Sequence, residues 1–504
     1  MPGINVTTAV RTGPVGIGDI IAGQWFVVGE TERGDLAAPT LCRSFSDYVK
    51  YYGDYQAGNL YQYVKTYFDE GGTRCYVQRV LGASSATATK TLDDASGNDT
   101  ITFTAKNAGQ WGNKLAVQVV AADVAGFRVK IYLNDVEIYM TRDLVDVTDA
   151  INVINSAPAV SHLIVASDDT TSSANPAVVA KTALATGANG TNPATDAEAV
   201  TALGLLAGQY KSGAVSLPGR TGTTVWDGLV AHAQAYNRIA ICAFGTSTTA
   251  AQAKTAASAY YSNAGASYMG FYFPHVKVPA PSSSELASLN EAGSAVEPTP
   301  QSSTVTIDPS AYVAAARTRA IEAAGGPWRA GAGSISSATT ITDMATAVTP
   351  ADGDLLDEAR INALRKIGNQ IRVYGARSAS NDEANWRFIT LRDSINYIVY
   401  GCEDRMEQFV FNTIDGRGNL FGRIRASLKA FLDPMRIAGG LYEAYDDDGN
   451  LIDPGYSVVV NSTNNPNSQL ATGLVKASVG VRVSGVADLI EVEVTKSNLT
   501  APIL

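Results

Sequence analysis

Histidine and cysteine, which often act as catalytic groups or metal ligands, are few in this chain of 504 residues, and they lie far apart. Its three histidines, His162, His232 and His275, fall in different predicted elements, where packing or surface roles are more common than metal binding. The four cysteines form no Cys-x-x-Cys pair, which indicates buried free thiols in a reducing compartment. The cysteines are Cys42, Cys75, Cys242 and Cys402.

Two short motifs come close to known ligand sites but lack the required spacing. Residues 446–450 read Asp-Asp-Asp-Gly-Asn, but an EF-hand loop needs its Gly directly after the third ligand and a Glu six residues later. A hairpin turn is therefore the better interpretation. A dinucleotide fingerprint follows a strand and opens a helix. The glycine-rich residues 13–18 do neither in the predicted structure, so they do not form such a fingerprint. GxxxxGK[ST], GxSxG and HExxH are absent from the sequence, so it predicts no enzyme, no metal site and no cofactor.

The distinctive chemical feature is a block of positive charge between Arg360 and Arg436. It contains thirteen Lys and Arg against eight Asp and Glu, a net charge of +5, whereas the whole chain carries −10. This contrast indicates a specific acidic partner for the block. The negative total argues against direct nucleic-acid binding. A solvated helix face is the ordinary alternative for cations one turn apart, such as Arg425 and Lys429.

The elements that must position this block are two extended segments and three helices. Residues 371–376 and 386–390 are predicted to be extended, and apolar residues from Leu391 to Val410 recur at helical spacing and predict one buried stripe. A helix over 355–367 is predicted to lead into the block. A further helix over 420–432 is predicted to bury Leu420, Ile424 and Leu428 and to carry the two cations at the edge of that face.

Length and composition predict a folded chain of three or four units, because 45% of its residues are hydrophobic and only 17% are charged. Residues 23–82 predict a small α/β unit, and 83–196 predict a β-rich insertion between polar linkers. Residues 197–353 alternate strands and helices, which predicts an α/β middle domain. No signal peptide is predicted, and no apolar run approaches the roughly 20 residues of a membrane helix. We therefore expect folding in a cytoplasm and no embedding in a membrane.

The two ends of the sequence predict extended segments. Residues 1–22 are interpreted as an arm containing Ile4, Val6 and Val10, with a flexible tail as the alternative. In the last predicted strand, 489–495, three β-branched residues share one face and two glutamates the other. Such terminal strands either pair within their own sheet or complete the sheet of a neighbouring chain. The three β-branched residues are Ile490, Val492 and Val494.

Several segments resemble the sheath proteins of contractile phage tails. Near the start these are PGINV, FVVGETERG, SFSDYVKYYG and YFDEGGTRCYVQRV. GQWGNKLAVQV and PWRAGAG follow in the middle, and the C-terminal part contains YGARS, NWRFITLRDSINYI, FVFN and NLFGRIRASLKAFL. Together they span nearly the whole chain in the order of the family. PGINV departs from the family pattern, which often has an aromatic residue after the glycine.

The resemblance implies an inner domain built from both ends of the chain, 23–82 plus 354–504, with the insertion outside. It also implies a helical stack of hexameric rings around a tail tube, in which arms and C-terminal strands exchange between subunits. The implied partners are further copies, the tube protein, and baseplate and tail terminator proteins. The implied location is the virion tail, assembled in the host bacterial cytoplasm. The hypothesised tube-facing residues are Arg417, Arg423, Arg425 and Lys429.

Contraction of such a sheath drives the tube through the host cell envelope. One alternative keeps this mechanism in another machine: an R-type bacteriocin, an extracellular injection system or type VI secretion. A type VI sheath usually combines two proteins, so the single continuous pattern favours a phage or a phage-like tail. The other alternative is an α/β enzyme built on residues 201–273, which contain no catalytic constellation.

Overall fold

The computed structural model describes residues 22–56, 58–281 and 303–488. The strands are β1 (Trp25–Gly29), β2 (Thr40–Cys42), β3 (Cys75–Arg79), β4 (Thr89–Asp93), β5 (Asp99–Ala105), β6 (Leu115–Ala121), β7 (Phe127–Leu133), β8 (Val136–Met140), β9 (Ile164–Asp168), β10 (Val179–Ala183), β11 (Ala214–Ser216), β12 (Ile239–Ala243), β13 (Met269–Phe273), β14 (Val276–Pro279), β15 (Thr304–Ile307), β16 (Asp343–Met344), β17 (Ile361–Ile367), β18 (Gln370–Tyr374), β19 (Ala444–Tyr445), β20 (Leu451–Asp453), β21 (Tyr456–Val459) and β22 (Ser478–Val481). The α-helices are α1 (Phe45–Tyr52), α2 (Tyr61–Asp69), α3 (Val147–Ser156), α4 (Asp196–Leu203), α5 (Thr223–Ala235), α6 (Ala250–Ser258), α7 (Ser310–Ala324), α8 (Pro350–Glu358), α9 (Glu383–Trp386), α10 (Ile389–Met406), α11 (Asn419–Ile437) and α12 (Asn467–Leu470).

The central sheet has eight strands in the order β18-β17-β13-β12-β11-β1-β3-β2. Strands from β17 to β3 pair in parallel, and the edge strands β18 and β2 pair antiparallel to their neighbours. Helices α4, α5, α6 and α8 pack on one face and α1, α2 and α7 on the other. Because both faces are covered, the inner strands are continuous apolar runs. The eight strands of this sheet therefore come from three segments of the chain: residues 23–82, 197–353 and 354–504.

Residues 89–183 form two antiparallel sheets of their own, β4-β5-β9 and β10-β6-β7-β8. Together with α3 they enclose a separate core that includes Phe103, Trp111 and Ile131. The alternating burial of β7 shows why this segment reads as β-structure, since its inward residues are buried and the next ones are half-buried. The chain is therefore a mixed α/β fold with several sheets.

Two of the predicted elements are wrong in the block around α10. The helix expected over 355–367 is two elements, because Thr349 caps α8 and the backbone turns at Arg360, whose φ is +55°. Strand β17 then pairs with β13 and β18. Residues 386–390, expected to be extended, end α9 and begin α10. Beyond this block, β19 pairs with β20 across the turn predicted at residues 446–450, and β21 pairs with β22.

A buried ion pair joins α7 to α10. Arg317 donates from Nε and Nη2 to the two carboxylate oxygens of Asp393 at 2.7 and 2.8 Å. The side chains are only 8% and 4% exposed. Burial raises the pKa of Asp393, and the guanidinium opposes that effect. Arg317 also donates from Nη1 to the carbonyl of Ala22 at 2.8 Å, so the same residue holds the first described residue of the chain.

We expect Arg317→Met to lower the free energy of unfolding by about 3–5 kcal/mol, because it leaves a buried carboxylate without its partner. Urea unfolding followed by circular dichroism measures this loss. The control is the double variant Arg317→Met with Asp393→Leu, which removes both charges and should recover much of the stability. Equal losses in the single and the double variant would contradict the assignment of the ion pair.

Candidate functional site

The basic face of α11 is the candidate interaction site. Leu420, Ile424 and Leu428 lie on the buried face of this helix, as the sequence predicts. The hypothesised tube-facing cations are all exposed, and within the part of the chain that the structure describes none has a carboxylate oxygen within 4.0 Å. They are Arg417, Arg423, Arg425 and Lys429. Arg436, in the last turn, contrasts with them because it pairs with Asp433 and Glu443.

The loop between α10 and α11 adds an apolar component to this face. Phe411 is fully exposed and has a φ of +61°, a backbone conformation that costs a bulky residue about 1–3 kcal/mol. Behind it is an apolar groove of about 720 Å³. The groove is bordered by Phe409, whose ring centroid lies 5.4 Å from the Arg423 guanidinium, and by Leu474. The predicted buried stripe ends before this loop, since Val410 is 52% exposed.

Helices α10 and α11 approach closely at Gly401. A Cβ atom at this position would lie 2.0 Å from the ring of Phe431, so only glycine permits the contact. The guanidinium of Arg405 lies 4.2 Å from the centroid of the same ring. Because Phe431 is on the buried face of α11, this packing fixes which side of that helix faces outward. The orientation of the basic face therefore depends on α10.

The most buried face of α10 is polar, which the sequence pattern did not predict. Asp393, Ser394 and Asn396 are all buried. Asn396 Nδ2 donates to the carbonyl of Arg238 at 3.4 Å, and Tyr400 donates its hydroxyl to the carbonyl of Tyr236 at 2.6 Å. Of the predicted apolar stripe, Ile398 is buried whereas Ile395, Val399, Cys402 and Met406 are half-buried. Polar anchors rather than apolar burial alone hold this helix to the sheet.

Both ends of the described chain lie at the start of α10. Ala22 is held through Arg317, the partner of Asp393 in the second turn of α10. At the other end, Asp488 lies 3.1 Å from a guanidinium nitrogen of Arg387, two residues before the start of α10. The residues before Ala22 and those after Asp488 lie outside the described residues. So do all six candidate arm residues: Ile4, Val6, Val10, Ile490, Val492 and Val494.

The histidines of the described chain make packing contacts. His232 lies 2.7 Å from a guanidinium nitrogen of Arg238, and burial, together with this cation, lowers its pKa to about 3. His275 contacts the carbonyl of Phe244 at 2.7 Å. Arg238 itself is fully buried, and burial lowers its pKa to about 10.

The cysteines of the described chain are free thiols. Cys42 and Cys75, distant in sequence, stand opposite each other on β2 and β3, but both are free thiols. Over residues 22–56, 58–281 and 303–488, no three His, Cys, Asp or Glu side chains are grouped so as to hold a metal ion. In the same ranges no helix is long and apolar enough to cross a membrane.

The sequence matches no family model and no curated protein. The fold, in contrast, matches solved structures. A sheath tail protein from Listeria innocua is similar with a TM-score of 0.61 and 15% identity, over 88% of this chain and 89% of that one. A sheath tail protein from Desulfitobacterium hafniense has a TM-score of 0.56 and 14% identity, over 92% and 94%.

A third similar structure comes from an assembled particle. It is the sheath complex of an extracellular contractile injection system, PVC, in its contracted state, with a TM-score of 0.54 and 15% identity over 99% and 98% of the two chains. The likeness therefore includes two sheath tail proteins and the sheath of an extracellular contractile injection system. The resemblance predicted from the sequence is confirmed at the level of the fold: this chain has the fold of contractile tail sheath proteins.

Proposed function

We propose that this chain is the structural subunit of a contractile tail sheath. It polymerises helically around a tail tube and contracts to drive the tube through the host cell envelope. The observation that carries this proposal is the match of nearly the whole chain, 88–99%, to sheath proteins that include a contracted sheath. The role is mechanical and not catalytic. The location is the virion tail, after assembly in the host bacterial cytoplasm.

The proposed assembly is a stack of hexameric rings in which terminal segments pass into neighbouring subunits. Its inner domain is residues 23–82 plus 354–504, with 1–22 as the arm, 83–196 as the outer insertion and 197–353 as the middle domain. The anchoring of Ala22 and Asp488 at one end of α10 supports exchange, because both terminal segments leave from one region. Contacts between different surfaces of identical copies propagate into helices when they do not close.

The assembled sheath works by changing these contacts. An extended sheath is held by a kinetic barrier, and a trigger from the baseplate releases it into a shorter, wider state. The exposed cations of α11 face an acidic tube surface. Each exposed ion pair contributes only about 0–1 kcal/mol, so a ring of them sets the register on the tube and still breaks during contraction.

A sheath of a headless particle is the second candidate, and the match to an extracellular contractile injection system favours it. Both candidates need the same tube, baseplate and terminator partners. Negative-stain micrographs of particles from producing cells distinguish them. Sheaths joined to DNA-filled heads indicate a phage, and sheaths without heads indicate an R-type bacteriocin or an injection system.

We expect the double variant Arg425→Glu, Lys429→Glu to fold normally and to lose co-assembly with purified tubes, because it places negative charge against an acidic surface. Co-sedimentation with tubes measures this. The matched control, Arg43→Glu with Lys106→Glu, makes the same change in net charge at two exposed cations that have no ion pair in the described chain. Unchanged co-assembly of the Arg425 and Lys429 variant would remove the tube contact from the proposal.

We expect deletion of residues 2–18 to leave a soluble protein that does not polymerise, because the arm no longer reaches the sheet of a neighbour. Sedimentation velocity and negative-stain microscopy measure the polymer. Deletion of 489–504 tests the other terminal segment in the same way. Sheaths of normal length from either truncated chain would contradict strand exchange by that segment.

A further inference from the structure

The acidic hairpin, residues 442–453, carries apolar side chains that the described residues of its own chain leave exposed. Tyr442 is 59% exposed, Tyr445 54%, Leu451 43% and Ile452 67%. Its strands β19 and β20 form a sheet with no third strand in the described chain. An isolated two-stranded ribbon is only marginally stable in water, and clustered apolar exposure of this kind marks contact surfaces.

The tip of the acidic hairpin is negatively charged. Asp446 closes the turn by accepting the backbone N–H of Asn450 at 2.7 Å and its side-chain amide at 3.0 Å. Asp447 and Asp448 are exposed, and no cation of the described residues lies within 4.0 Å of either. The base of the hairpin carries two ion pairs, Glu443 with Arg436 at 2.5 Å and Asp453 with Arg482 at 3.0 Å. The tip thus presents carboxylates that have no cationic partner among the described residues of its own copy.

The basic hairpin, residues 361–374, has the opposite charge. It consists of β17 and the edge strand β18 of the central sheet, and Arg365 and Arg372 stand directly opposite each other in its register. Like charges directly opposite across strands are destabilising. Neither guanidinium, nor the neighbouring Lys366, has a carboxylate oxygen within 4.0 Å in the described chain. The two guanidinium groups instead contact the Tyr374 ring, at 5.2 Å, and the Ser337 hydroxyl, at 2.8 Å.

These cations share one face of the basic hairpin with exposed apolar side chains. Residues alternate across a strand, so Arg365 and Ile367 of β17 lie on the same face as Arg372 and Tyr374 of β18. Ile367 is 37% exposed and Tyr374 53% exposed. Arginine and tyrosine beside apolar residues is the composition of energetically important contact centres. The face is therefore suited to an acidic partner that also carries apolar side chains.

We propose that the acidic hairpin of one copy docks on the basic hairpin of a neighbouring copy. The two surfaces are complementary in charge, and both carry exposed tyrosine and isoleucine. Within one copy no ion pair joins them in the described ranges, so each is available to another chain. The contact is heterologous, since it joins different surfaces, and repetition produces a ring or a helix rather than a closed dimer. This inference rests on the proposed function, in which many copies assemble side by side.

Charge swaps test the docking. Asp447→Lys with Asp448→Lys, or Arg365→Glu with Arg372→Glu, should each raise the critical concentration for polymerisation by roughly tenfold or more, because like charges then meet. Light scattering measures it. The two swaps combined in one chain should restore polymerisation. The matched control is Asp168→Lys with Glu322→Lys, which changes the net charge equally at two exposed carboxylates without an ion pair in the described chain and should have no effect.

Cysteine cross-linking separates docking between copies from folding back within one copy. Ile452→Cys and Ile367→Cys variants, mixed and oxidised, should give a disulfide-linked dimer, with each variant alone and the wild type as controls. A chain carrying both substitutions that forms only an internal disulfide overturns the proposal. So do wild-type-like charge swaps, or a combined swap that performs no better than the single ones.

The failure of this inference is distinguishable from the failure of the proposed function. A wild-type chain that forms no tubular polymer contradicts the sheath function. In that case the mixed cysteine variants still report whether the hairpins of two copies meet. A wild-type chain that polymerises while both charge swaps polymerise equally well contradicts the hairpin contact alone.

Discussion

The buried ion pair between Arg317 and Asp393 is the interaction on which the proposed working surfaces depend. Removing two charges from water is costly, so such a pair persists only with good geometry and hydrogen bonding, as the two hydrogen bonds of this bidentate pair provide. The third bond, to the carbonyl of Ala22, links the start of the described chain to α7 and α10. Arg317 thus sets the relative placement of α7, α10 and Ala22, the first described residue.

The placement of α10 in turn determines the placement of α11. The close approach at Gly401 permits the Phe431 ring to sit against the α10 backbone, and close-packed contacts of this kind transmit displacement rather than absorb it. The cations of α11 and the exposed Phe411 therefore move with α10. In the proposed sheath, a subunit transmits force between its neighbours and the tube, which requires a rigid connection of this kind.

The sequence was informative wherever the signal was local. Ser44 caps α1 with its side chain, and the apolar runs of β12 and β13 predict buried parallel strands. It failed where partners are distant: Asp393 meets Arg317 across 76 residues and Asn396 meets the Arg238 carbonyl across 158. Periodicity does not reveal such partners. The same holds for β17, whose strand state depends on pairing with β13 and not on its own pattern.

The candidate surfaces likewise include residues that the sequence predicts and residues that it does not. The exposure of Arg425 and Lys429 follows from helical spacing, because the apolar residues of α11 define its buried face. Nothing local marked Phe411, whose exposure results from a positive φ in a loop, or the Arg365–Arg372 pair, which exists only in the register of two strands. Spacing in the sequence alone therefore identifies neither Phe411 nor the Arg365–Arg372 pair.

In the proposed assembly, exposed charges of both signs on each copy allow many weak contacts to add up. The net charge of −10 makes separate copies repel, but the repulsion is screened beyond about 8 Å at physiological ionic strength. Local pairs of opposite sign act at shorter distances, where screening is weaker. Copies therefore attract only in the orientation that aligns complementary surfaces, and each contact remains weak enough to be exchanged. An assembly of this kind gains its strength from repetition, so it can hold one arrangement and rearrange collectively into another.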